Sequence, residues 1–397
     1  MKKIKIVALL LVAGLVSLSC GGGNDGDRGI DDPLLPVNPT LPTDSIPTDS
    51  IPADSIPADS VFVPDTVVVA DFAKGADVGW LTEMEAGGVK FYNTEGEATE
   101  CLSLLKQSGM NAVRLRVWVN PEKRGINYCN LSDVLVKAQR AHALGMDIMI
   151  DFHYSDFFAD PSRQDKPAAW ASMSDKELEE AVATHTKEVL QALKAKEITP
   201  RWVQVGNETR NGMLWPAGQL WDNSGNIDGG WENYVALHNA GYDAAKSIFP
   251  ETIVIVHIDN AWDDQNWWFR DFRKKGGKMD MIGLSHYPQT HDTKTWQEMN
   301  DLAINHIELW AKTYGVDVMV CEVGVKPYQE ALAATVIKDF VSRVKDIEQC
   351  AGVFYWEPQV YGGWKPAVYA SLGWTAYDMG AFRADGRPST VMDAFKD

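Results

Sequence analysis

The sequence predicts a (β/α)8 TIM barrel over residues 67–397, and three observations carry that expectation. Short apolar runs alternate with longer stretches of helical periodicity, eight such runs can be counted, and several end in polar residues, where a barrel places its working face. The strands are expected at about 68–75, 112–119, 147–152, 201–205, 252–257, 281–285, 317–322 and 352–356, with helical stretches such as 176–193 and 329–344 between them. A doubly wound open sheet is the competing architecture. No Gly-x-Gly-x-x-Gly opens the first helix, however, and eight similar units exceed what such a sheet needs.

Two segments precede the barrel. Residues 1–19 have the layout of a secretory signal peptide: the basic start Met1-Lys2-Lys3-Ile4-Lys5, an apolar stretch over 6–18, then small residues before Cys20. Ser17-Leu18-Ser19-Cys20 resembles a bacterial lipobox with Ser17 in place of the usual Leu, which makes Cys20 the expected lipidated residue. Roughly 13 apolar residues fall short of the roughly 20 of a membrane-spanning helix, so attached lipid chains are expected to supply the membrane affinity. Gly21-Gly22-Gly23-Asn24-Asp25-Gly26-Asp27 resembles the surface-export signals of some Gram-negative lipoproteins.

Residues 20–66 are rich in Pro, Asp, Ser and Thr, with a five-residue repeat beginning at Pro42, Pro47, Pro52 and Pro57. Such composition forms no packed core and reads as a disordered, extended spacer. The expected location is outside the cell, lipid-anchored to the bacterial outer membrane, with display at the cell surface as a further expectation.

The net charge of −18 argues against nucleic acid and against acidic polymers as partners and leaves a neutral glycan as the better fit. Besides Cys20 there are four cysteines, Cys101, Cys129, Cys321 and Cys350, without metal-type spacing. Cys321 falls inside an expected strand and reads as a buried small residue rather than half of a disulfide.

The chemistry-bearing feature is a pair of strand endings. Trp202-Val203-Gln204-Val205-Gly206-Asn207-Glu208 and Val318-Met319-Val320-Cys321-Glu322-Val323-Gly324 each deliver a Glu at the end of an apolar run. Burying an ionised carboxylate costs several kcal/mol unless it is paired or used, so two such endings point to two-carboxylate glycoside hydrolysis. Asn207 is a neutral donor suited to a sugar hydroxyl, although Asn-Glu after a strand also reads as a helix cap. Arg116 is the candidate for holding Glu322 ionised, with a structural ion pair as its alternative and Arg114 sharing its strand parity. Tyr287 is a second candidate partner for Glu322, or simply a packed ring. Among many tryptophans, Trp356 and Trp364 near the last strand suit stacking on sugar faces.

Four motifs in order, Arg116-Val117-Trp118-Val119-Asn120-Pro121, His153-Tyr154-Ser155-Asp156 with Ala159-Asp160-Pro161 and Gln164, Gln204-Val205-Gly206-Asn207-Glu208, and Tyr355-Trp356-Glu357-Pro358, resemble glycoside hydrolase family 53, the endo-β-1,4-galactanases of clan GH-A. The resemblance implies a retaining mechanism on β-1,4-galactan, with Glu208 as acid/base and Glu322 as nucleophile. It implies Arg116, Asn207 and Tyr287 as members of the −1 site, lined by Asp77, Trp118, His153 and Trp356. It also implies galactan and galacto-oligosaccharides as partners; no cofactor is expected to be required, and a monomer is expected. Some bacterial members carry a calcium-binding loop after the nucleophile strand. Here Glu322-Val323-Gly324-Val325-Lys326-Pro327-Tyr328 runs almost directly into a helix, so the usual calcium loop is missing from the sequence while a structural calcium stays open. His286 stands where the family often has another aromatic residue. An endo-hydrolase of the same clan acting on mannan or xylan, and a non-catalytic surface glycan-binding protein, are the alternatives.

Overall fold

The computed structural model describes residues 71–288, 293–372 and 377–396. Residues 1–66, with Cys20 and the Pro-rich repeat, lie outside the described residues. Eight parallel strands close into a barrel in sequential order: β1 (Ala73–Asp77), β2 (Ala112–Val117), β3 (Asp147–Phe152), β4 (Trp202–Val205), β5 (Ile253–Ile258), β6 (Met281–His286), β7 (Asp317–Val323) and β8 (Cys350–Trp356). Helices α1 (Leu81–Ala86) and α2 (Cys101–Gln107) follow β1. Each later strand is followed by a helix: α3 (Leu131–Ala143), α4 (Asp175–Lys194), α5 (Gly230–Ile248), α6 (Asn266–Lys274), α7 (Trp296–Tyr314), α8 (Glu330–Lys345) and α9 (Ala367–Ser371). Ser174 with Glu177 and Thr295 with Glu298 form capping boxes that start α4 and α7, satisfying backbone N–H groups that the first turn leaves without partners.

Most strand boundaries differ from expectation by one or two residues, and β1 and β2 show physical reasons. β1 is the small-residue segment Ala73-Lys74-Gly75-Ala76-Asp77, which apolar patterning does not mark. Gly75 is required there because Phe354 fills the barrel beside it: a Cβ on Gly75 would lie 2.2 Å from that ring. β2 ends at Val117 instead of 119, because Trp118 N–H turns to the carbonyl of Cys129 (2.7 Å) and Val119 N–H to that of Ser155 (2.9 Å).

The barrel interior has two layers. Its floor is apolar, made of Ala73, Ala112, Met149, Trp202, Ile255, Met281, Met319, Cys321 and Phe354, with Trp202 and Phe354 edge to face at 5.9 Å. The larger core lies outside, between strands and helices. Above the floor, at the carboxyl ends of the strands, the inward residues are charged or polar: Asp77, Arg114, Arg116, Asp151, Gln204, His257, Ser285 and Glu322, all buried. Packing therefore seals the lower end and leaves the upper end for chemistry.

Candidate active site

Strict alternation along β7 sends Met319 and Cys321 inward and would send Glu322 out to the helices. The ladder between β6 and β7 slips here: Leu284 pairs with Val320, and the next residue, Ser285, pairs with Glu322. Cys321 is the extra residue of a β-bulge, and the bulge turns Glu322 into the barrel mouth. On β4 the device is different. Glu208 takes a left-handed backbone conformation at φ 47° and ψ 53°, just past the end of the strand. Tyr154, Asn260 and Glu357 also have positive φ immediately beyond β3, β5 and β8, so backbone strain gathers at the rim where side chains must be aimed.

Arg114 organises the centre. Nε donates to Gln204 Oε1 (3.1 Å), Nη1 to Asp77 Oδ2 (2.7 Å) and Glu322 Oε1 (2.9 Å), and Nη2 to Asn207 Oδ1 (2.7 Å), while Nη2 also forms an ion pair with Asp151 Oδ2 at 2.9 Å. The hydroxyl of Tyr287 donates to the other oxygen of Glu322 at 2.7 Å. The expectation that Arg116 holds Glu322 is corrected: Arg116 is turned toward β8, where Nη1 pairs with Glu357 and, at 3.3 Å, with Asp77 Oδ1. The reason is reach. Asp77 sits opposite Arg114 in the ladder, and Asp151 sits opposite Arg116. The guanidinium rooted at residue 114 reaches Asp77, Asp151 and Glu322, whereas the one rooted two residues farther along the strand at 116 reaches Glu357 and one oxygen of Asp77.

Arg116 instead lies in an aromatic cage, with its guanidinium carbon 4.9 Å from the Trp80 ring, 4.9 Å from Phe158 and 5.5 Å from Trp118. Its Nε and Nη2 have no hydrogen-bond partner among the described residues. Trp118 is fully buried as part of that cage, so its expected place as direct lining of the sugar site is corrected to backing for Phe157, Phe158 and His153. Asp77 is likewise fully buried, bracing both arginines from behind. His153 accepts the Ala159 N–H on Nδ1 (2.9 Å) and so donates from Nε2 to Asp151 Oδ2 (3.0 Å). Asn207 spends one Nδ2 hydrogen on Ala159 O (2.8 Å), which leaves the second for a sugar hydroxyl. Trp356 and half-buried Trp364 both pack edge-on against Trp80, at 5.2 and 5.7 Å between ring centroids, and with it form an aromatic wall after β8 and β1.

The two glutamates sit in unlike surroundings. Burial pushes the Glu208 carboxyl well above the usual carboxylate range, and the charge of Glu322 adds to this, with the Ser285 hydroxyl opposing. Burial also raises Glu322, but Arg114 and the Tyr287 hydroxyl pull against it and leave it at about 7. Glu322 is therefore the group that ionises first, and Glu208 keeps its proton. Sequence reasoning missed His257, which grips Glu208 from two sides. Its Nδ1 accepts the backbone N–H of Glu208 (3.2 Å), so the ring proton sits on Nε2 and goes to Ser285 Oγ (3.0 Å), and Ser285 in turn bonds the Glu208 carboxyl. Burial, then Arg114, hold His257 well below the usual histidine range, so the ring is neutral. The inward parity of His257 on β5 and Ser285 on β6 was the available signal.

No group of three His, Cys, Asp or Glu residues gathers to hold a metal among the described residues. β7 ends at Val323 and a short 3-10 turn (Pro327–Gln329) leads into α8, which leaves no room for a long ion-binding loop at that point. Cys101, Cys129, Cys321 and Cys350 are all buried thiols.

The family description Glycosyl hydrolase family 53 matches residues 73–332. The chain belongs to that family. An arabinogalactan endo-beta-1,4-galactanase of Thermothelomyces thermophilus is 32% identical over 348 residues, 81% of this chain and 98% of that protein. An endo-beta-1,4-galactanase of Bacillus subtilis (strain 168) is 32% identical over 72% of this chain and 70% of its own length. Among solved structures, the Ignisphaera aggregans GH53 catalytic domain superposes with a TM-score of 0.70 at 28% identity, covering 82% of this chain and 96% of that one. The family-53 match spans both strands that deliver Glu208 and Glu322.

Proposed function

We propose that the chain is a retaining endo-β-1,4-galactanase that cleaves β-1,4-galactosidic bonds in galactan and arabinogalactan side chains of pectin. The observation that carries this reading is the unequal pair: the Glu322 carboxylate is bonded to Arg114 and Tyr287, whereas the Glu208 carboxyl is buried with the Ser285 hydroxyl as its side-chain partner. Its galactan specificity draws support from the printed activities of the family-53 relatives.

In the first step Glu322 attacks the anomeric carbon while Glu208 gives its proton to the glycosidic oxygen, so the leaving chain departs as a neutral alcohol and a galactosyl ester forms on Glu322. Loss of that proton lets Glu208 act as base in the second step. It takes a proton from water, the water oxygen attacks the anomeric carbon from the face the leaving chain vacated, and Glu322 is released as carboxylate with the configuration retained. Asn207 supplies an N–H to a sugar hydroxyl near the reacting carbon, and the Trp80, Trp356 and Trp364 wall receives the glycone units. Two carboxyls carry both steps, so no metal or organic cofactor is required.

The same reading places the enzyme outside the cell as a monomer, anchored to the outer membrane through lipid on Cys20. Its basis is the lipobox-like Ser17-Leu18-Ser19-Cys20 and the Pro-Asp-Ser repeat that follows. Cys20→Ser should move the protein from the membrane to the soluble fraction of expressing cells; retention in the membrane would overturn the anchor.

The deciding experiment incubates the purified chain with linear β-1,4-galactan, mannan and xylan separately and follows product length and anomeric configuration over time. Short galacto-oligosaccharides released from galactan alone, first as the β-anomer, are expected. Cleavage of mannan or xylan instead would assign another clan substrate, and binding of galactan without cleavage would make the chain a glycan-binding protein.

A further inference from the structure

Four large apolar side chains are well exposed among the described residues: Val136, Trp267, Leu309 and Leu332. Val136, Leu309 and Leu332 lie on α3, α7 and α8 of the outer ring. Trp267 is different, because it occupies the second position of α6, and a helix that follows a barrel strand begins at the catalytic rim. It is 39% exposed, and its ring lies 6.0 Å from that of half-buried Trp221. Trp221 belongs to a hairpin (Trp221–Asp222 with Gly225–Asn226) in the loop after β4, the same loop that starts with Glu208.

This pair is held in place from the catalytic side. Asn211, three residues beyond Glu208, accepts the Trp221 N–H on Oδ1 (2.9 Å), donates Nδ2 to the Trp221 carbonyl (3.0 Å), and receives the Trp215 indole N–H on its own carbonyl (2.8 Å). Arg210 fixes the other half: its carbonyl takes the indole N–H of Trp268, the neighbour of Trp267, at 2.7 Å, and its Nε pairs with Asp259 beyond β5 at 2.9 Å. Both indoles are thus tied through one or two residues to the segment that aims the acid.

Chemistry decides which part of a substrate would meet them. The proton of Glu208 goes to the oxygen that bridges the reacting galactosyl unit and the leaving chain, so the leaving chain must cross the β4 and β5 side of the mouth. The Trp80, Trp356 and Trp364 wall stands on the β8 and β1 side, diametrically across an eight-stranded barrel. A galactosyl unit has an axial O4, here the linkage oxygen of the chain, which leaves the opposite ring face covered by C–H groups and suited to an indole. We propose that Trp221 and Trp267 form a subsite for the leaving chain, stacking β-1,4-linked galactosyl units on the reducing-end side of the scissile bond. The proposal rests on the galactanase reading above.

The test uses the full chain and its Trp267→Ala, Trp221→Ala and double variants on linear β-1,4-galactohexaose labelled at the reducing end. Cleavage is expected to shift toward the reducing end, because fewer units are retained on the leaving side. The ratio of kcat/KM on galactan to kcat/KM on an aryl β-galactobioside, whose leaving group carries no sugar, should fall about fivefold per indole. Trp267→Tyr should recover most of the loss. An unchanged cleavage pattern, or an equal fall on both substrates, would overturn the subsite. Should Trp221→Ala fail to fold, exposed Trp267 alone carries the test. Cleavage of mannan or xylan by the unaltered chain would overturn the galactanase reading itself, before any variant is made.

Discussion

At the scale of single residues, function turns on how two glutamates of the same chemistry are made unequal. Activity requires Glu322 ionised and Glu208 protonated, so kcat/KM should fall as pH drops through the value near 7 for Glu322 and fall again, at much higher pH, as Glu208 loses its proton. Tyr287→Phe removes a hydrogen bond that favours the carboxylate, and so should move the acid limb to higher pH. Arg114→Lys keeps one charge but serves at most three of the five partners, and should lower kcat about 100-fold while shifting the acid limb in the same direction. An acid limb that stays put in both variants would remove Glu322 from the role of nucleophile. Glu322→Ala should abolish nearly all turnover while sparing galactan binding. The glutamates were legible in the sequence because a charge at the end of an apolar run is costly to bury. The choice of Arg114 over Arg116 was not: the two share strand parity, and only the register of β1 and β3 against β2 tells which guanidinium meets the carboxylates.

At the scale of elements, seven of the eight strands were legible from apolar runs, but β1 and the devices that aim side chains were not. The bulge at Cys321 breaks the alternation on which any reading of inward parity rests, and Gly75 of β1 answers to Phe354, its partner on the adjacent strand β8, rather than to its neighbours in the chain. Helix α1 offers a test of how such elements respond to pH. Burial raises Glu83 to about 7, against the opposing charge of Arg116, and its Oε2 has no hydrogen-bond partner among the described residues. A carboxyl whose folded value lies above its unfolded one gives stability that is complete below the unfolded value, about 4.5, and is lost as pH rises through about 7. Glu83→Gln should therefore leave the melting temperature unchanged near pH 4 and raise it relative to the parent chain at pH 8. Thermal unfolding across that range measures the difference between the two chains, which cancels the other buried carboxyls. The contact between α3 and the loop after β1 is a second case. Lys137 is fully buried and donates to both Asp133 and the carbonyl of Gly79, so Lys137→Ala leaves a buried carboxylate short of its cation and should cost about 3 kcal/mol in denaturant unfolding.

At the scale of the whole molecule, a net charge of −18 surrounds a mouth whose own charges are largely paired internally. A neutral galactan chain has no charge for this field to act on, so kcat/KM on isolated galactan should stay flat as salt rises. Galactan still attached to the uronic-acid backbone of pectin is another matter, because that backbone is negative and approaches a negative protein. Repulsion at low salt should slow the encounter, and screening should relieve it once the Debye length falls to about 10 Å near 0.1 M. Rates on intact pectic galactan should therefore rise with added sodium chloride and converge on the rate for the isolated chain. Were the rate on intact pectin to fall with salt, a positive surface would have to be guiding the acidic backbone, and the protein's acidity would have no part in keeping the enzyme to neutral side chains.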